Sequence, residues 1–379
     1  MMKMNPMLNR RRILTGVATL TGAALLQGAA PFSFNLINTA LGNNIASPVE
    51  PIRMSSNENP YGPSPNAIEA MQAAFKYGNL YGGIEDQIIE LQASIEKVPA
   101  ECITISCGSG EILSAAGLFA ASMPGSIVAA YPTYGSLINT AKEMGAEIIN
   151  VPVDADMNVD LKAMYAAITP DTRMVYLCNP NNPLPTIIEK TALEDFVRTV
   201  SKDRMVFIDE AYYEYVDNPD FSSMMHLVAE GLNNIIVART ASKIHGIAGL
   251  RVGFGFAHPD LIAKLNMLKT GSVDILAQHA ALVSYQDREF QDFSRAKNKE
   301  GLAIVEGMYE ELGLRYVKSN ANFSFFETGI DVGVFRAKMK ENNLLVGRPF
   351  QPFTTWARVS MAKPEEMAYF VQTYKKLFS

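Results

Sequence analysis

Cysteine is scarce, with three among 379 residues, at positions 102, 107 and 178. An odd number without repeated spacing indicates neither a disulfide framework nor a metal knuckle. His226, His245, His258 and His279 show no metal-ligand spacing either, so no metal site is expected. Basic charge is in deficit, with 33 Lys and Arg against 39 Asp and Glu, which argues against nucleic acid as a partner. Repeats and low-complexity linkers are absent. No uncharged apolar run reaches the roughly 20 residues of a membrane-spanning helix. What remains is a chain with 48% hydrophobic residues, enough to build a large core in two lobes.

The N-terminus is set apart by charge. Residues 1–46 contain Lys3, Arg10, Arg11 and Arg12 and no acidic residue, so removing them takes the net charge from −6 to −10. Arg10-Arg11-Arg12-Ile13-Leu14 opens an uncharged run, Ile13 to Leu26, rich in glycine and alanine. The pattern resembles a Tat-type export signal followed by a linker. Gly28-Ala29-Ala30 and Asn44-Ile45-Ala46 offer small residues for cleavage. The resemblance implies the Tat export machinery as a partner and a periplasmic or exported protein; an uncleaved anchor, or an apolar tail packed on the core, remains open.

Arg239-Thr240-Ala241-Ser242-Lys243 and Gly249-Leu250-Arg251 carry the strongest chemical signal. A lysine behind small hydroxyl residues, with an arginine eight positions on, places an amine and a phosphate clamp around one ligand. An aldehyde bearing a phosphate fits, which is pyridoxal 5′-phosphate. Such a lysine must lose its proton near neutral pH, and the small, apolar stretch from Ala241 to Leu250 suits its burial. The cofactor's ring takes up electrons best when a carboxylate keeps its nitrogen protonated. Asp209 is placed for this at the end of Arg204-Met205-Val206-Phe207-Ile208, which reads as a buried strand, since open α/β sheets bind ligands at that edge.

Short apolar runs at Ile127–Ala130, Glu147–Val151, Met174–Leu177, Met205–Ile208, Ile235–Ala238 and Val252–Phe256 alternate with helical stretches such as Gly110–Ser122 and Thr191–Ser201. This predicts an α/β fold with a mainly parallel sheet covered on both faces. Ala277–Leu312 reads as helical, and Asn322–Glu327 opens a smaller α+β lobe.

Motifs in series sharpen the picture. Asn57-Glu58-Asn59-Pro60-Tyr61-Gly62-Pro63-Ser64-Pro65, Gly108-Ser109-Gly110-Glu111, Pro132-Thr133-Tyr134, Asn179-Pro180-Asn181-Asn182-Pro183, Asp209-Glu210-Ala211-Tyr212, Ser242-Lys243, Arg251 and Arg358 follow one another over roughly residues 53–368. In order and spacing they resemble a fold-type I, class I/II pyridoxal-phosphate aminotransferase, nearest the histidinol-phosphate aminotransferase branch. The resemblance implies a seven-stranded sheet in a large domain over 76–270, a connecting helix and small α+β domain over 271–379, and a segment, 47–75, that joins the small domain.

It also implies roles. Lys243 would hold the cofactor and act as general base, and Asp209 would pair with the ring nitrogen. Tyr212 and Asn182 would bond the phenolic oxygen, and Tyr134 would stack on the ring. Ser109, Gly110, Thr240, Ser242 and Arg251 would cup the phosphate. Tyr81 would reach the phosphate of a neighbouring subunit, which makes a homodimer with shared sites. Arg358 would fork the substrate α-carboxylate, Arg348 would meet a distal anionic group, and Tyr61 would contact substrate.

The chain departs from the family pattern at Leu184-Pro185 in place of Thr-Gly, at Leu80-Tyr81-Gly82 in place of Arg-Tyr-Pro, and at Thr270–Asp274. These changes fall where substrate side chains are read, and export separates the enzyme from cytoplasmic histidine synthesis. The expected activity is transfer of an amino group between an amino acid, or amino-alcohol phosphate, and a 2-oxo acid by a ping-pong mechanism. A pyridoxal-phosphate lyase, decarboxylase or racemase would keep Lys243, Asp209 and Arg251 and stays an alternative; a non-catalytic binding protein would not need them.

Overall fold

The computed structural model describes residues 48–379; the Tat-type segment lies outside them. Twelve strands are present among the described residues: β1 (Ile52–Met54), β2 (Ile103–Cys107), β3 (Ser126–Tyr131), β4 (Glu147–Pro152), β5 (Thr172–Cys178), β6 (Met205–Asp209), β7 (Ile235–Thr240), β8 (Val252–Ala257), β9 (Tyr316–Val317), β10 (Phe323–Glu327), β11 (Leu344–Val346) and β12 (Trp356–Ser360). β2 to β8 form one seven-stranded sheet in the order β2-β8-β7-β6-β5-β3-β4. All neighbours run parallel except those of β8, which is antiparallel to β2 and β7. Its inner strands are near-continuously apolar because helices cover both faces, while β4, at the edge, is buried only at Val151. Ile208, Val206 and Val237 pack into the core on one side, and Phe207, Ile236 and Tyr176 into the core on the other.

The smaller lobe holds the antiparallel sheet β12-β10-β9 and the parallel pair β1-β11. Its core is aromatic, built from Tyr309, Phe326, Phe335, Phe370 and Tyr374. β1 enters this lobe from the far end of the chain, with Ile52 opposite Leu344. Helix Pro65–Ala74, a few residues later, packs instead against helix Ile275–Gln286.

The predicted helix over Ala277–Leu312 is two helices, Ile275–Gln286 and Arg288–Glu311. Asp287 separates them: its carboxylate accepts from Phe290 N at 3.1 Å and caps the second helix, a local bond that competes with helix continuation. No helix among the described residues is long and apolar enough to cross a membrane, and none of their His, Cys, Asp and Glu side chains group to hold a metal ion.

Candidate active site

The parallel strands β5, β6 and β7 end on a common edge. Asp209 closes β6, Thr240 closes β7 and Asn182 lies just beyond β5. Beside them the helix Ser109–Ala121 begins, and from the small lobe come Arg358 on β12 and the turn after β11. These parts enclose a cavity of about 690 Å³, lined by Lys243, Asp209, Tyr212, Asn182, Tyr134, Ser109, Gly110, Thr240, Ser242, Arg251, Arg348 and Arg358. Residues far apart in sequence thus meet at the switch edge of the sheet, where such folds bind ligands.

Lys243 is half-buried and faces this cavity. Its Nζ donates to Asn57 O at 3.2 Å. Burial first, and then the Arg358 charge, push the amine down to about 8, against the pull of Asp209. A neutral nucleophile is therefore accessible near physiological pH. Asp209 is 2% exposed. It accepts from Ala211 N at 3.1 Å and from Tyr176 Oη at 3.4 Å, and burial pushes it up to about 6. A buried carboxylate at the cavity floor without an ion-pair partner among the described residues suits a cationic ring nitrogen in front of it.

Tyr212 Oη accepts from Asn57 Nδ2 at 3.0 Å and Asn182 Nδ2 at 3.1 Å. Both contacts use its lone pairs, so its own proton is left to donate. Burial raises this phenol well above its usual range, which keeps that proton in place.

The phosphate end is cationic and rich in donors. Gly108 caps the helix at φ 78°, and a Cβ there would come within 2.1 Å of Arg251 Nη2. Arg251, itself left-handed at φ 57°, donates from Nη1 to Ser242 Oγ at 3.3 Å and to Ala248 O at 2.8 Å. Thr240 Oγ1 lies 2.9 Å from Ser242 Oγ. A helix N-terminus facing an arginine and two hydroxyls is suited to a phosphate dianion.

Arg358 is 8% exposed, and burial holds its pKa below the usual value. Nη1 donates to Asn182 Oδ1 at 2.7 Å, Nη2 to Ser55 O, and Nε is buried without a partner. An unpaired buried guanidinium N–H is costly, and a carboxylate entering the cavity would satisfy it. Arg348 is exposed at the mouth with its guanidinium 4.4 Å from the Phe350 ring.

Two expected residues are not brought into the cavity of a single chain. Tyr61 N is bonded to Asn59 Oδ1 at 3.1 Å, and the ring lies edge-on to Phe293 at 4.8 Å. Tyr61 lies outside the cavity lining. Tyr81 is fully exposed and lies outside the cavity lining.

Other residues carry parts of the site that local sequence did not announce. Asn57, left-handed at φ 55° and 1% exposed, supplies the bonds to Lys243 and Tyr212. It is held by Ser360 Oγ, which contacts its N and Oδ1 at 2.8 Å each, and by Asn322 Nδ2 at 3.0 Å from its carbonyl. Arg336 also lines the cavity. Asparagine tolerates the left-handed region, a weak signal within the Asn57–Pro65 motif; nothing local marked Ser360, Asn322 or Arg336.

A half-buried lysine with a lowered pKa, a buried carboxylate without an ion-pair partner and a phosphate cup at the edge of a doubly covered sheet define an enzyme that works through a phosphorylated aldehyde. Residues 49–373 match the family Aminotransferase class I and II, and the chain belongs to it. It is a pyridoxal-phosphate-dependent transaminase. A histidinol-phosphate aminotransferase of Moorella thermoacetica is 36% identical over 86% of this chain and 86% of its own. A crystal structure from Erwinia carotovora atroseptica, provisionally assigned as a histidinol-phosphate aminotransferase, superposes with a TM-score of 0.83 at 32% identity, covering 86% of this chain and 95% of that one. The Sinorhizobium meliloti histidinol-phosphate aminotransferase in complex with pyridoxal-5′-phosphate shares the fold, with a TM-score of 0.77 at 22% identity over 92% and 96% of the two chains.

Proposed function

We propose that this transaminase moves an amino group from an amino acid, or amino-alcohol phosphate, with an anionic distal group to a 2-oxo acid, by a ping-pong sequence. The supporting observation is the surplus of arginine around the Lys243 cavity. Arg358 can meet an α-carboxylate, and Arg336 and Arg348 remain at the mouth without a carboxylate partner among the described residues. Glu58, on the same lining, is already tied to Arg53 at 2.6 Å.

Pyridoxal phosphate, when bound, supplies an aldehyde that captures amines and a ring that takes up the electrons left at a substrate α-carbon. The chain's own groups do the rest. Arg251, Thr240, Ser242 and the amides of Ser109 and Gly110 would hold the phosphate, Asp209 would keep the ring nitrogen protonated, and Tyr134 would stack on the ring. Tyr212 and Asn182 bond the phenolic oxygen. Arg358 would fix the α-carboxylate and so present the α-hydrogen to Lys243 Nζ, which would take that proton and deliver it to the cofactor's former aldehyde carbon, two bonds away. In the second half-reaction the 2-oxo acid takes the same path in reverse.

The active unit in this proposal is a homodimer in which Tyr81 reaches the phosphate of the second subunit; its full exposure in one chain supports this. Mixing Tyr81→Ala with Lys243→Ala would then yield activity that neither variant has alone, and a mixture as inactive as its parts would sink the shared site. The twin-arginine segment, outside the described residues, supports export through the Tat pathway. Retention of the chain in the cytoplasm, with Arg11→Lys and Arg12→Lys having no effect on its location, would refute that.

The direct test is the cofactor's absorbance in the purified protein before and after a panel of amino donors that includes histidinol phosphate, with Lys243→Ala as control. Anionic donors are expected to discharge the lysine-bound band and yield a 2-oxo acid or, from an amino-alcohol phosphate, the corresponding ketone. A band that neutral donors discharge better than anionic ones would overturn the distal-anion assignment.

A further inference from the structure

Glu111 stands in the first turn of the helix that begins at Ser109, where its charge would be expected to compete with a bound phosphate. The carboxylate is turned aside. Its Oε2 accepts from Cys107 N at 2.8 Å, and its Oε1 accepts from Thr270 N at 3.0 Å and Gly271 N at 2.7 Å. Burial would raise its pKa, but the three backbone donors outweigh burial and hold it below the usual carboxylate value. The contact is close-fitting: a Cβ at Gly271 would lie 2.6 Å from Cys107 Sγ and 3.2 Å from Glu111 Oε1.

The loop after residue 268 is clipped a second time. Lys269 Nζ donates to Thr104 Oγ1 and Ile105 O on β2, each at 2.6 Å. Further on, Gln278 donates to Val273 O at 2.9 Å and accepts from Ile84 N at 2.8 Å, which ties the same loop to the segment carrying Tyr81. One carboxylate therefore joins the turn Cys107–Gly108, on which the phosphate cup is built, to a loop 160 residues away in sequence.

We propose that Glu111 is a positioning residue for the cofactor phosphate: by latching the 269–274 loop onto the Cys107–Gly108 turn, it fixes the direction of the N–H groups of Ser109 and Gly110. The proposal rests on the phosphate-cup assignment above and goes beyond it by placing control of the cup outside the residues that touch the ligand. Glu111→Gln keeps the shape of the side chain and can still accept from the loop amides, but its NH₂ then opposes Cys107 N–H, donor against donor.

The test measures binding of pyridoxal 5′-phosphate, pyridoxal and inorganic phosphate to the apoprotein, wild type and Glu111→Gln. The variant is expected to bind pyridoxal 5′-phosphate and inorganic phosphate about tenfold more weakly, with pyridoxal unchanged. A purely structural role would weaken all three or none. In wild-type apoprotein, inorganic phosphate is expected to slow hydrogen exchange at the Thr270 and Gly271 amides, a readout that needs no variant. Unchanged phosphate discrimination in a folded Glu111→Gln, or loop amides indifferent to phosphate, would overturn the proposal alone. A wild-type protein that binds pyridoxal as well as its phosphate would overturn the cup assignment and the proposal with it.

Discussion

Replacing Asp209 by asparagine is expected to make the apoprotein more stable while it disables the enzyme. Burial lifts the carboxyl from 3.8 to about 6 in the folded chain. Because the folded pKa is raised, the cost is absent below the unfolded value. It grows as pH rises through the window from 3.8 to about 6 and is fully present above it. A shift of roughly two units corresponds to about 3 kcal/mol. Asparagine keeps an acceptor for Ala211 N, while its NH₂ faces Tyr176 Oη, which donates to Asp209 in wild type and would have to accept instead, a loss that offsets a small part of the gain. Urea denaturation of the two apoproteins should show Asp209→Asn about 2–3 kcal/mol more stable near pH 8, with the gap closing towards pH 4. The cofactor should then stabilise the variant less than wild type, because the ring nitrogen loses its anion, and turnover should fall by orders of magnitude. An apo variant no more stable than wild type near pH 8, or a gap independent of pH, would refute the account of Asp209 as a carboxylate held ready for a cation.

Two more substitutions test other parts of the site. The rate at which apoprotein captures pyridoxal phosphate should rise with pH towards a midpoint of about 8 as Lys243 loses its proton, and Arg358→Gln should move that midpoint upward by removing the second-largest cause of the depression; a stationary or falling midpoint in stopped-flow absorbance would count against the coupling. Leu184→Ala should cost about 2–5 kcal/mol in thermal or urea unfolding and raise KM for substrates more than it weakens the cofactor, because Leu184 packs under Phe350 rather than under the cup; equal damage to both would refute that division.

The sheet was legible because its signal is local. The strands from β3 to β8 show as short apolar runs broken by polar turns, although β4, at the sheet edge, is buried only at Val151, and Gly253-Phe254-Gly255-Phe256 belongs to β8. The helix break at Asp287 was not legible. One capping carboxylate in an otherwise helical stretch leaves the apolar periodicity nearly intact, and only the bond to Phe290 N decides where the second helix starts. The cavity residues named from motifs were those whose chemistry is carried by residue type, such as a lysine behind hydroxyls or an aspartate after a strand. Ser360 and Asn322 hold Asn57 across 303 and 265 positions, a separation at which no spacing rule operates.

Leu184-Pro185 does more in the fold than the sequence alone carries. From sequence the change removes a hydroxyl and stiffens a loop. In the fold Leu184 is fully buried in a cluster with Met157, Phe325, Phe350 and Trp356, while Pro185 O accepts from Asn320 N at 3.0 Å and Asn320 Nδ2 at 3.2 Å. The loop that carries Asn182 is thus bolted to the small lobe by apolar packing on one side and a paired carbonyl on the other. Asn182 holds Arg358 Nη1 at 2.7 Å, and Phe350 lies 4.9 Å from the Arg358 guanidinium. Asn182, two residues before Leu184, and Phe350, in the same buried cluster, are therefore two of the groups that orient the carboxylate-binding arginine, beside Ser55 O. A hydroxyl in that place could bond one group, whereas the leucine joins two lobes, and that makes the substrate wall a property of their packing.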